Sequence, residues 1–167
     1  YRGKTQELSD FFSESALIRY RVLVEVEYFI SLCQISLPEL TKFDANLYKD
    51  LRKLYSDLSL KDANSIKEIE KETNHDVKAV EYFIKEAFDH LKISEYKEFI
   101  HFGLTSQDIN NTATPLMIKE SIEKVFVPNY KKVLNKLVEI KNEWADVPLL
   151  ARTHGQAASP TLLGNCL

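Results

Sequence analysis

The chain has 167 residues, with 22 Lys and Arg against 25 Asp and Glu, for a formal net charge of −3. That length suits one domain or part of a larger one, and the mildly acidic balance argues against the clustered basic surface that nucleic-acid phosphates require. Hydrophobic residues make up 44% and aromatics 11%, enough to bury a core and to exclude a disordered chain.

In chain order, the run from Glu14 to Leu37 contains no Gly, Pro, Asn or Asp. Arg19, Arg21, Glu25 and Glu27 alternate with apolar residues as in a strand, but a run this long without a turn signal exceeds any usual strand. A long, mostly buried helix capped near Ser13 is therefore expected. Pro38 to Asn46 reads as a connection, and a short helix around Leu47 to Leu58 follows. Ser59 and Asp62 have capping-box spacing, opening a helix through about Lys71. Val77, Val80, Ile84, Phe88 and Leu91 then recur at three- and four-residue steps, the pattern of an amphipathic helix.

A brief element around Tyr96 to Phe102 leads to Gly103. Thr105-Ser106-Gln107-Asp108 has the composition of a helix N-terminus, and helical composition runs on to about Ala145. Pro115 and Pro128 are expected to kink or divide that segment, since each removes an intrahelical hydrogen bond. Tyr130, Val133, Leu137, Ile140 and Trp144, widened by Leu134 and Val138, form an apolar seam of the bundle-helix kind. Val147-Pro148 ends it. Arg152 to Pro160 then reads as a polar loop before a new helix. The fold class expected is all-α, with an N-terminal helical domain over residues 1–98 and the beginning of a helical-bundle domain over 99–167.

The four glycines, at 3, 103, 155 and 164, exclude the GxGxxG and GxxxxGK phosphate loops. Cys33 and Cys166 show no CxxC spacing, and no histidine spacing matches a metal motif. No apolar run approaches the roughly 20 residues of a membrane span, and no basic segment followed by an apolar core opens the sequence. A cytoplasmic protein with no cofactor, no metal, no nucleic-acid partner and no membrane is expected. Met117 is the sole methionine and Leu167 stops in mid-pattern, so the sequence is expected to be a fragment.

Three polar islands sit at helix boundaries: Thr73-Asn74-His75-Asp76, Thr105 to Asn111, and Arg152-Thr153-His154-Gly155-Gln156. Helix N-termini present unpaired N–H groups and a partial positive charge, which suit carboxylates and phosphates. Histidine adds a proton-transfer group that titrates near working pH. Each island taken alone has a plainer account. Thr73 and Asn74 would cap the next helix with His75 and Asp76 in its first turn, Thr105-Ser106 with Asp108 would be ordinary capping, and His154 would be a loop residue. His101 stands among Phe99, Ile100 and Phe102, the setting of a satisfied core histidine. His90 suits a helix C-terminus.

Taken in order, the segments Thr73 to Val80, His101 to Asn111, and Arg152 to Gln156 followed by Pro160 resemble the adenylosuccinate lyase family of the fumarase/aspartase superfamily. The resemblance covers all of this chain, which corresponds to about the N-terminal third of a family member. It implies β-elimination of fumarate from adenylosuccinate, giving AMP, and from the succinylcarboxamide ribotide of purine nucleotide biosynthesis, by a homotetramer. It assigns His154 as the general acid serving the departing nitrogen, and Thr105 and Ser106 as holders of a succinyl carboxylate. Asn74, His75 and Asp76 become substrate-binding residues, with His75 facing the phosphate. Tyr1 matches the tyrosine of an Arg-Tyr substrate-binding pair whose arginine would precede it, and His101 takes a supporting role.

One departure from the family pattern stands out. The family's base is a serine on a Ser-Ser-x-x-Pro-x-Lys-x-Asn loop, and no such segment occurs in this sequence; the fragment alone is expected to be inactive. Two other readings stay open: another fumarate-releasing lyase of the superfamily, and a non-catalytic helical interaction module whose islands are only caps.

Overall fold

A computed structural model describes residues 2–35 and 37–166. Among the described residues the fold is all-α apart from one two-stranded hairpin, and the chain divides into two compact units, residues 1–121 and 122–167.

The first unit is organised around one buried helix. Short 3₁₀ turns and α1 (Ser9–Phe12) lead to α2 (Glu14–Gln34), whose N-cap Ser13 accepts a hydrogen bond from the Ala16 N–H, as its sequence predicts. Burial on nearly every side explains the strand-like alternation: Ile18, Val22, Val26 and Phe29 share one face of the helix, Ala16, Tyr20 and Val24 lie on the opposite side, and all are buried. The helix packs against α3 (Tyr48–Ser56), α4 (Leu60–Thr73), α5 (Asp76–His90) and α6 (Ser106–Ser121). Phe29 meets Phe43 and Phe88 edge to face, at centroid distances of 5.2 and 5.0 Å. This is the geometry that opposes the positive ring edge to the negative face.

Local chemistry sets the helix starts that position the islands. Ser59 and Asp62 form the expected capping box: the Asp62 N–H donates to Ser59 Oγ (3.2 Å) and the Ser59 N–H donates to Asp62 Oδ2 (2.9 Å). At the next junction the structure corrects the sequence reading. Asn74 closes α4 in the left-handed conformation (φ 52°), and the N-cap of α5 is His75, not Thr73 or Asn74. A short amide tolerates left-handed backbone well enough to reverse the chain there. A 3₁₀ segment, Ser94–Phe99, leads to α6, which runs unbroken through Pro115. The expected division at this proline therefore does not occur.

The second unit opens with a π-helical turn, Ile122–Phe126, and α7 (Val127–Glu143), where Pro128 occupies the first turn and needs no hydrogen-bonded N–H. No residue of α7 is buried, and its stripe of Tyr130, Val133, Leu134, Leu137 and Val138 is exposed. Next come strands β1 (Pro148–Thr153) and β2 (Gln156–Leu162), paired antiparallel with an irregularity between Leu150 and Arg152. The polar loop and following helix expected after Arg152 are thus a hairpin and a 3₁₀ turn, Leu163–Cys166. His154 (φ 51°) and Gly155 (φ 76°) supply the two consecutive left-handed residues that a tight two-residue turn requires. The returning turn seats Gly164 against the end of α7, where a Cβ would stand 2.7 Å from the Lys141 carbonyl oxygen.

Candidate functional site

Two of the three islands meet in the first unit. His75, as N-cap of α5, uses Nδ1 to accept the Lys78 N–H (3.2 Å). A ring nitrogen that accepts carries no hydrogen, so in the neutral ring the N–H lies at Nε2. Nε2 stands 3.1 Å from Ser106 Oγ at the start of α6, and the imidazole donates to that hydroxyl. Two helix N-termini, separated by 31 residues, are thereby joined through side chains suited to anion recognition.

Asp76 is the first residue of α5. Its Oδ1 accepts the Val77 N–H (2.8 Å), and Oδ2 pairs with Arg21 Nη2 (2.7 Å). Partial burial works against the anion, but the Val77 N–H and the Arg21 guanidinium outweigh it and hold this carboxyl below the usual range. Arg21 is buried in α2 and turns its Nε toward Asn110 Oδ1 of α6 (3.0 Å). One guanidinium therefore ties the central helix to both islands.

Thr105 spends both its N–H and its hydroxyl hydrogen on Asp108 Oδ2, at 2.7 and 2.8 Å. The backbone and hydroxyl donors hold Asp108 below the ordinary carboxylate range. Of the Thr105-Ser106 pair, Ser106 is thus the member that meets His75. His101, in left-handed backbone (φ 59°), brings Nδ1 to 2.5 Å from Oε1 of the fully buried Glu25. Burial pushes the Glu25 carboxyl above its usual range, opposed by the His101 contact. Glu25 Oε2 is buried without a hydrogen-bond partner among the described residues.

The second unit carries the third island. His154 is exposed at the tip of the β1–β2 hairpin, between the paired residues Thr153 and Gln156. The Asn74 side chain is likewise exposed, and Tyr1 lies outside the described residues. Among the described residues no group of three or more His, Cys, Asp or Glu is placed to hold a metal ion. No helix among them is long and apolar enough to cross a membrane.

The sequence assigned no site role to Arg21 and Glu25, named only for their alternation with apolar residues, or to Asn110, which lay within the second island. For the first two a signal existed. Charged residues one turn apart inside a buried apolar helix must find partners, because an unpaired buried charge is costly.

A family model described as Lyase matches residues 1–167, and the chain belongs to this lyase family. Among curated relatives, an adenylosuccinate lyase of Dictyostelium discoideum is 54% identical over 171 residues, covering 98% of this chain and 36% of that protein. Proteins of the same name from Legionella pneumophila (strain Corby) and Escherichia coli (strain K12) are 44% and 39% identical over 166 residues, with the same coverage. The chain thus spans 36% of the length of these relatives.

Proposed function

We propose that the full-length protein containing this chain is an adenylosuccinate lyase. It eliminates fumarate from adenylosuccinate to give AMP, and from the succinylcarboxamide ribotide to give the carboxamide ribotide, in purine nucleotide biosynthesis. The observation that carries this reading is 54% identity to a protein of that name across 98% of the chain. The meeting of His75 with Ser106 supports it, because both islands lie at helix starts able to hold an anion.

The reaction breaks a C–N bond β to a carboxylate. A base removes the Cβ proton, fixed donors stabilise the carboxylate as it gains charge, and an acid protonates the leaving nitrogen. Each positioned proton transfer contributes roughly 10²–10⁴-fold, and donors aimed at the developing charge contribute a similar amount. In this reading His154 is the general acid. Ser106, with Thr105 beside it, holds a succinyl carboxylate at the start of α6, where the helix dipole favours negative charge. Asn74, His75, Asp76 and Tyr1 bind substrate, with His75 turned to the phosphate, and His101 plays a supporting part. The base comes from a segment other than residues 1–167, so this chain alone releases no fumarate. The working form is a cytoplasmic homotetramer, in which residues 1–98 belong to an N-terminal helical domain and residues 99–167 begin the bundle domain.

The test is His154→Ala in the full-length protein. Loss of turnover on adenylosuccinate by about 10²-fold or more is expected. Wild-type turnover in this variant would overturn the assignment and favour a helical module whose islands are only caps.

A further inference from the structure

We propose that Arg21 is a positioning residue for substrate binding, setting the spacing between His75 and Ser106 without touching substrate itself. The inference rests on the reading of His75, Asp76 and Ser106 as substrate contacts. Its basis is the placement of one buried guanidinium. Arg21 is 8% exposed, and its two contacts lead to different helices: Nη2 to Asp76 Oδ2 at 2.7 Å, at the first residue of α5, and Nε to Asn110 Oδ1 at 3.0 Å, in the first turns of α6. Asp76 adjoins His75, and Asn110 lies one helical turn beyond Ser106. A rigid planar fork with donors on separate edges fixes the distance between these turns. A lysine ammonium is a compact charge on a flexible stem and does not fix the spacing between the two.

Stability alone is a weak reason for this arrangement. A buried charged group generally adds little beyond what apolar packing of the same volume provides, whereas a fixed geometry is what two recognition groups from different helices require. The same helix repeats the device one turn later. Glu25 is the i+4 neighbour of Arg21 and reaches His101, the residue that opens the segment before α6. Two charged residues on one buried face of α2 thus each hold one end of a polar segment that α2 does not itself contain.

The experiment is steady-state kinetics of the full-length Arg21→Lys enzyme on adenylosuccinate at 25 °C, beside His75→Ala and Ser106→Ala, with thermal melts of each. A KM at least tenfold higher for Arg21→Lys, with kcat within about threefold of wild type, is the expected result. A merely structural arginine would lower the melting temperature and leave KM at its wild-type value, and that result overturns the inference. Should Arg21→Lys fail to accumulate as folded protein, Asn110→Ala removes one prong and leaves the Arg21–Asp76 pair. A severalfold rise in KM there supports positioning, and an unchanged KM overturns it. If His75→Ala and Ser106→Ala raise KM while the Arg21 and Asn110 variants do not, only the role of Arg21 fails. If His75→Ala and Ser106→Ala also bind substrate as wild type does, the site reading fails with it.

Discussion

Replacing His101 by Ala removes the side-chain hydrogen-bond partner of a carboxylate that has no access to solvent. Glu25 Oε1 is held at 2.5 Å by His101 Nδ1, and Oε2 already lacks a partner among the described residues. Both His and Ala carry a Cβ at this left-handed position, so backbone strain largely cancels between them. Breaking a buried pair by deleting one member costs about 3–5 kcal/mol. The His101 side chain keeps 17% of its surface exposed, which places the loss near about 3 kcal/mol at pH 7. With a urea dependence of about 2 kcal/mol per molar, the unfolding midpoint falls by about 1.5 M. Far-UV circular dichroism is the appropriate probe, because the sole tryptophan, Trp144, lies beyond the first unit.

The pH dependence carries its own sign. Burial, with a further contribution from Glu81, raises the Glu25 carboxyl above its ordinary value, and the His101 contact pulls it back. Glu81 is itself paired with Lys78 and Lys85. Deleting the imidazole leaves burial opposed only by the His101 backbone hydrogen bond. A carboxyl whose folded pKa exceeds its unfolded value destabilises only when ionised, so the penalty vanishes toward acid and grows as pH rises through the folded pKa. The deficit of His101→Ala is therefore larger at pH 7.5 than at pH 5, and adding Glu25→Gln restores most of it. A deficit below about 1 kcal/mol at pH 7, or one identical at the two pH values, would refute this reasoning.

Ser59→Ala breaks the capping box that opens α4, at a cost of about 1 kcal/mol in urea unfolding. The Ser59 hydroxyl and N–H hold the Asp62 carboxyl below its ordinary range. The hydroxyl's contribution is present above the unfolded aspartate pKa and is lost as pH falls through the folded one, so the gap between wild type and Ser59→Ala should narrow at low pH, leaving the pH-independent bond from the Asp62 N–H to Ser59 Oγ. Gly164→Ala forces a Cβ to within 2.7 Å of the Lys141 carbonyl oxygen; a loss of about 1–3 kcal/mol is expected, read by the fluorescence of the neighbouring Trp144. Fumarate release by the purified 167-residue chain, followed by absorbance, should be undetectable beside the full-length enzyme.

Caps were the most legible part of the fold because their chemistry is local. Ser13 and the Ser59–Asp62 pair act within three residues of themselves, and the sequence contains both halves of each interaction. The hairpin was hidden for the opposite reason. Its strands carry few β-branched residues, and its turn is His-Gly instead of the usual Asn-Gly or Asp-Gly signal. Periodicity marked the apolar stripe of α7, but period decides which residues share a face and not what covers that face. The positioning groups were harder still: Arg21 and Asn110 are 89 residues apart, and no window of local pattern spans such a pair.

His75 shows why weighing a capping role against a binding role could not settle the site from sequence. The two accounts treat the imidazole as one group, but it has two nitrogens with opposite requirements. By accepting the Lys78 N–H, Nδ1 satisfies one of the donors left open at the start of α5. That same bond fixes the tautomer, so Nε2 must present a hydrogen, and it presents it at Ser106. The cap is thus the reason the ring points a donor between two helix starts. Removing the cap would free the ring to rotate and to place its hydrogen on either nitrogen. The contact to Ser106 at Nε2 and helix initiation at Nδ1 are therefore coupled through one ring, and a substitution that damages one is expected to damage the other.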